Sequence, residues 1–105
     1  MNTSLLSLYE GAYERCGFIL KTGEIVEVPN ICAEPTGGFD MRGADIVKFA
    51  PISQATWHTH PDDDSNLSSG DFLTFLNWPE LDHYIVGNDG VTKFVVEDGD
   101  VLVAA

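Results

Sequence analysis

His58 and His60 stand two positions apart, and Ser68 and Asp71 follow within the same fourteen-residue stretch, His-Thr-His-Pro-Asp-Asp-Asp-Ser-Asn-Leu-Ser-Ser-Gly-Asp. Imidazole nitrogens and a carboxylate are ligands that zinc takes, and a set of three leaves its fourth tetrahedral position open for water. An open position implies catalysis rather than scaffolding. An isolated His-x-His is more often an accident of composition, or a pair of half-buried polar residues, than a ligand pair. Here a third ligand, a hydroxyl and a helix cap fall in register with it, and the stretch reads as a zinc site.

The elements around these residues must bring them together. The apolar lead-in Ala55-Thr56-Trp57 suggests a strand, in which residues two apart project to the same side, so both imidazoles share one face. Pro61 ends that strand. Ser68 stands three residues before Asp71 and just ahead of Phe72-Leu-Thr-Phe-Leu, the spacing of a helix N-cap with an acidic third position. Asp71 therefore falls in the first turn of a helix from about Ser68 to Asn77, which ends before Pro79.

Upstream, Leu5, Leu6, Leu8, Tyr9, Ala12 and Tyr13 recur at helical intervals, with Thr3 or Ser4 as a cap, and predict an amphipathic opening helix. Gly17 to Lys21 and Glu24 to Val28 read as two strands joined through Thr22-Gly23, which sets Glu14 where helix passes to strand. Pro29 to Gly38 is loop-like, Phe39-Asp-Met reads as a short strand, and Ala44 to Phe49 fits helix or strand equally. His83-Tyr-Ile-Val is a further strand; Asn88-Asp-Gly90 signals a tight turn, and Val91 to Val96 with Val101 to Val103 give two last strands. The sum is an α+β domain with one mixed sheet, residues 1–105 forming a single domain.

Composition narrows the partners. Five Lys and Arg against seventeen Asp and Glu give a net charge of −12, which repels phosphate backbones and argues against nucleic acid and anionic membranes. Solubility is the simplest purpose of that charge, and a basic protein or peptide partner is compatible with it. No apolar run approaches the ~20 residues of a membrane span, and Met1-Asn-Thr-Ser lacks the basic start of a signal peptide, so the expected location is cytoplasmic. Cys16 and Cys32 lack Cys-x-x-Cys spacing and suit reduced, buried thiols better than a disulfide framework. A structural Cys2His2 zinc site joining them to His58 and His60 would leave Glu14, Ser68 and Asp71 without purpose.

The pattern His-x-His-Pro-x6-Ser-x2-Asp, filled by His58, His60, Pro61, Ser68 and Asp71, resembles the signature of the JAMM (MPN-type) zinc metallopeptidases at every fixed position. That family carries a glutamate upstream, and Glu14-Arg-Cys-Gly-Phe-Ile-Leu20 is similar to its segment; Asn30, Pro35 and Phe39 extend the resemblance from about Glu14 to Val86. The details are closest to the short bacterial and phage members, including the N-terminal domain of the tail assembly protein K of lambda-like phages. The resemblance implies a single mixed, curved β-sheet flanked by helices in an MPN/JAMM, cytidine deaminase-like layout, with one Zn2+ ion held by His58, His60 and Asp71. It implies catalytic roles for Glu14, as the base that moves the proton of a metal-activated water to the leaving amine, and for Ser68, as a donor to the oxyanion.

The implied activity is hydrolysis of peptide or isopeptide bonds. Its substrate would be a protein or peptide, with phage tail proteins or a ubiquitin-like protein as candidate partners, in a bacterial or phage-infected host cytoplasm or in association with a virion. Each residue also has a plainer account: Ser68 as a cap alone, Glu14 as a solvated charge, His83 as an ordinary strand histidine, and Asp62, Asp63 and Asp64 as a solvated acidic turn. Rival metal families fit less well. A metallo-β-lactamase-type His-x-His-x-Asp-His would need a histidine where Asp63 stands, a cupin would need glycine where Ile52 stands, and the His-Glu-x-x-His helix is absent. The competing function is a zinc-binding interaction module, in tail assembly or as a scaffold component, that is non-catalytic or depends on a partner.

Overall fold

Strands dominate because β-branched and aromatic residues alternate through most of the chain, and the strands assemble around the one that leads to His58. The computed structural model describes residues 2–9, 12–34 and 38–104. In chain order the elements are α1 (Asn2–Leu6), β1 (Cys16–Leu20), β2 (Ile25–Val28), α2 (Gly43–Phe49), a 3₁₀ turn (Ala50–Ile52), β3 (Ser53–Thr59), α3 (Ser69–Leu76), β4 (Asp82–Gly87), β5 (Gly90–Glu97) and β6 (Asp100–Val103). The strands form one mixed sheet in the order β2-β1-β3-β4-β5-β6. All neighbours are antiparallel except β3 and β4, which run parallel and are linked through α3. The fold is α+β, with few and short helices.

Pleating sorts the central strands onto two faces. On one face Ile19, Ala55, Trp57 and Val86 pack with Leu5 of α1, all essentially inaccessible. On the other, Cys16, Phe18 and Val28 lie beneath Phe39, Met41 and Phe49, while Ile85 and Phe94 lie beneath Phe75 of α3. His58 belongs to this second face, because Cys16 is its partner across β1 and Ile85 its partner across β4. Gly17 leaves the space in which the Trp57 indole N–H reaches the Val26 carbonyl at 3.2 Å; a β-carbon there would collide with that carbonyl and with the indole.

Two local expectations fail. The opening helix stops at Leu6, closing with 3₁₀-type bonds from Leu8 to Leu5 and from Tyr9 to Leu6. The Leu8 carbonyl, which would continue it, instead accepts from the Arg15 guanidinium at 2.9 Å, and the Tyr9 hydroxyl accepts from the Asp62 backbone N–H at 2.9 Å. Glu14 thus follows irregular chain rather than a helix, and Ser4 lies within α1 rather than capping it; the side chain of Thr3 lies outside the description. The second failure is Phe39-Asp-Met, which is not a strand. Asn30 takes the place of a ladder: its amide oxygen accepts from the N–H groups of Cys32 and Asp40, and its nitrogen donates to the carbonyls of Glu14 and Gly38. The segment Ala44 to Phe49, open between two forms from sequence, is helical. Pro35 lies outside the described residues. None of the described helices is long and apolar enough to cross a membrane.

Candidate metal centre

β3 delivers the two imidazoles. His58 is the penultimate residue of the strand, and His60, one residue past its end, keeps the pairing by donating its N–H to the Val86 carbonyl at 2.8 Å. Both side chains are buried, and their Nε2 atoms lie 3.2 Å apart. α3 delivers the carboxylate. Ser68 is its N-cap, and a reciprocal pair of hydrogen bonds links the Ser68 hydroxyl and backbone to Asp71 in the first turn. Asp71 then turns one oxygen to each histidine, Oδ1 to His58 Nε2 and Oδ2 to His60 Nε2, both at 3.0 Å.

Glu14 arrives through pairing with β1. Arg15 and Thr59 exchange bonds, the Arg15 N–H to the Thr59 hydroxyl at 2.8 Å and the Thr59 N–H to the Arg15 carbonyl at 2.9 Å. Carrying the Cys16–His58 register two residues further sets Glu14 across from His60. Asn30 fixes the Glu14 backbone from the other side, at 2.8 Å. Glu14 is buried, and its carboxylate and the nitrogens of His58 and His60 lie within 4.8 Å of one another. This buried Glu/His/His group could hold a metal ion. Asp71 stands closer still to both imidazoles, and a cavity of about 130 Å³ opens over the cluster, lined by Glu14, Ser68, Asp71 and Phe39 among others.

The chemistry of the donors fits a cation. His60 Nδ1 lies 2.9 Å from the carbonyl oxygen of Asp64. A carbonyl only accepts, so Nδ1 holds the hydrogen and donates, leaving the Nε2 lone pair turned toward Asp71 and His58. A lone pair facing a carboxylate oxygen at 3.0 Å is repulsive unless a proton or a metal sits between them. The spacings of 3.0 to 3.2 Å among the three donors are close to the edge of a tetrahedron with zinc-like bonds of ~2.0 Å, which is roughly 3.3 Å. The His60–Asp64 hydrogen bond is also of the outer kind that orients metal-bound imidazoles.

Charge settles accordingly when no cation is counted. Burial disfavours a charged His60, yet Asp71 and the Asp64 carbonyl outweigh it and push its pKa up to about 9. His58 is pushed down by its complete burial, although Asp71 pulls the other way. Burial also opposes ionisation of Asp71, but hydrogen bonds from the two histidines hold its carboxyl well below the usual carboxylate range. Glu14 is raised to about 7, chiefly by burial, with His60 partly offsetting this and Asp71 adding to it. A carboxylate poised there suits general acid–base work near neutral pH.

A scan of protein-family models and a search of curated proteins both found no match to this chain. The site stands on its own geometry.

The five candidate metal and catalytic residues, His58, His60, Asp71, Ser68 and Glu14, come together in this cluster. His83 does not. Its Nε2–H donates to the Trp78 carbonyl at 3.1 Å and its Nδ1 accepts from the Thr56 hydroxyl at 2.6 Å, so both ring nitrogens are spent, and burial pushes its pKa down to about 4. Sequence reasoning missed three supports. Phe39 stacks on His58 with ring centroids 4.4 Å apart, which positions a ring whose Nδ1 is buried without a hydrogen-bond partner among the described residues. Asn30 holds Glu14, and the Asp64 carbonyl orients His60. Phe39 and Asn30 had been marked by the resemblance without a role; a backbone carbonyl leaves no trace in a sequence.

Proposed function

We propose that this protein is a zinc-dependent hydrolase of amide bonds of the JAMM (MPN) type, cutting peptide or isopeptide linkages in a protein substrate. The observation that carries the reading is the convergence of His58 Nε2, His60 Nε2 and the Asp71 carboxylate at 3.0 to 3.2 Å, with buried Glu14 beside them. His58, His60 and Asp71 would hold the ion. Zinc, when bound, supplies the Lewis acidity that makes water a nucleophile near neutral pH.

The protein's own groups supply the rest. Glu14, buried beside the two imidazoles, would accept a proton from the attacking water and return it to the leaving nitrogen. The Ser68 oxygen spends a lone pair on the Asp71 N–H at 3.1 Å, which leaves its hydroxyl hydrogen available for the developing oxyanion. Both line the same cavity as Asp71, so acid–base group and oxyanion donor face one substrate bond. The acidic surface, with its net charge of −12, favours a substrate with basic residues near the cleaved bond. Phage tail proteins and ubiquitin-like conjugates are the candidate sources of such a bond.

The test is turnover of zinc-loaded protein on ubiquitin-like fusions, tail proteins and peptidoglycan fragments, beside Glu14→Ala. The reading expects cleavage by the wild type and none by Glu14→Ala, which still binds zinc. Retained turnover in Glu14→Ala contradicts it.

A further inference from the structure

A second cavity, of about 120 Å³, lies beside the cavity over the metal-ligand cluster and shares two lining residues with it, Phe39 and Thr74. Phe39 is the partition: its ring stacks on His58 at 4.4 Å and also forms part of the wall of the second cavity. The space lies on one face of the sheet between Ile46 of α2 and Thr74 of α3. Met41, Ile46 and Trp78 supply apolar walls. Of the four polar side chains in the lining, Asp40 is exposed and accepts from the Met41 N–H at 2.9 Å, Thr74 is shared with the first cavity, and Thr56 and His83 are bonded to each other at 2.6 Å, with the other His83 nitrogen donating to the Trp78 carbonyl at 3.1 Å. Thr56 and His83 therefore offer an incoming group little to hydrogen-bond. The volume suits roughly four carbon-sized groups, counting ~30 Å³ for each water-sized one.

We infer that this cavity is the specificity pocket of the hydrolase, receiving a leucine- or methionine-sized side chain of the polypeptide whose amide bond lies over Glu14 and Asp71. The occupant follows from continuity: one aromatic ring separates the pocket from a candidate ligand, a distance that a side chain close to the scissile bond spans. It follows also from chemistry, because most of the lining is apolar and Thr56 and His83 spend their polar atoms on each other, which favours a side chain with no polar atoms to desolvate. This inference rests on the amide-hydrolase reading for the identity of its occupant. The selectivity of the pocket does not depend on the metal.

The test uses metal-free protein and two capped peptides, acetyl-Gly-Leu-Gly-amide and acetyl-Gly-Ala-Gly-amide, titrated while the indole N–H signals of Trp78 and Trp57 are followed by NMR. Trp78 lines the pocket, whereas Trp57 lies in the core of the opposite face and serves as the reference. The leucine peptide should bind about tenfold more tightly or better, since it buries three further carbons, and should shift Trp78 but not Trp57. Ile46→Trp, which fills the space, should abolish the preference, and Met41→Ala should move it toward a phenylalanine peptide. Equal affinities in the wild type, or shifts confined to Trp57, overturn the pocket whatever the variants do. Leucine-selective binding by a protein that takes up no zinc would overturn the hydrolase reading and with it the assigned occupant.

Discussion

Ser68 and Asp71 hold each other. The Asp71 N–H donates to the Ser68 hydroxyl and the Ser68 N–H to Asp71 Oδ2, both at 3.1 Å, and that same Oδ2 lies 3.0 Å from His60 Nε2. The capping box that starts α3 therefore also aims a carboxylate at the imidazoles. The same geometry that starts the helix thus positions a candidate ligand.

Ser68→Ala tests the observed cap together with the oxyanion role proposed for the same hydroxyl. Loss of the cap should cost about 1 kcal/mol of stability, and loss of the oxyanion donor should lower kcat by about a hundredfold or more. Ser68→Thr should recover most of the stability. Urea midpoints beside steady-state kinetics check this; a variant that loses stability but keeps its rate would leave Ser68 as a cap alone.

Gly87 controls the loop between His60 and α3. A β-carbon there would run into the backbone of Asp64 and Ser65, and the adjacent Asn88 N–H donates to the Asp63 carbonyl at 2.8 Å. Gly87→Ala should push this loop away, at a cost of about 1 to 3 kcal/mol for overpacking, and pull the Asp64 carbonyl from His60 Nδ1. Zinc affinity should fall by about tenfold or more, as expected when the outer partner of a metal-bound histidine is lost. Calorimetric titration with zinc reads this directly, and unchanged affinity would show that the loop does not orient His60.

Neutral His83 should give the metal-free protein one acid-labile contribution, opposed over the same pH range by His60 and Glu14, whose raised pKa values favour the folded state as pH falls. The His83 pKa falls from 6.5 in the unfolded chain to about 4 in the folded one, because burial disfavours the imidazolium. The unfolded state therefore binds the proton first. The contribution of neutral His83 is fully present above pH 6.5 and is lost as pH falls toward about 4, up to roughly 3 kcal/mol in all. Between pH 7.5 and pH 5 the loss should be about 2 kcal/mol. The stability difference between wild type and His83→Gln, measured by urea unfolding, should shrink by that amount over this range; a difference that does not change with pH would contradict the assignment to His83.

What was legible in the sequence was local. The two-residue spacing of His58 and His60 and the three-residue spacing of Ser68 and Asp71 are the periods of a strand and of a helix cap, and each survives in the structure because no distant contact competes with it. Glu14 was legible only through resemblance. Its place depends on the β1–β3 register, a pairing of residues 33 to 42 positions apart, sealed by the exchange between Arg15 and Thr59. The opening helix was overread because an apolar period cannot reveal that Arg15 would claim the Leu8 carbonyl. Likewise the β-like run Phe39-Asp-Met gave no sign that the Asn30 side chain would stand in for a neighbouring strand.

On the proposed reading, His58, His60 and Asp71 hold one zinc ion, and Glu14 faces it without being needed to bind it. The most direct measurement is the zinc content of purified protein by elemental analysis, for the wild type beside His60→Ala, Asp71→Ala and Glu14→Ala. One ion per chain in the wild type and in Glu14→Ala, with none in the other two, is the predicted result. A metal-free wild type, or a Glu14→Ala protein that loses zinc as completely as Asp71→Ala, would contradict it.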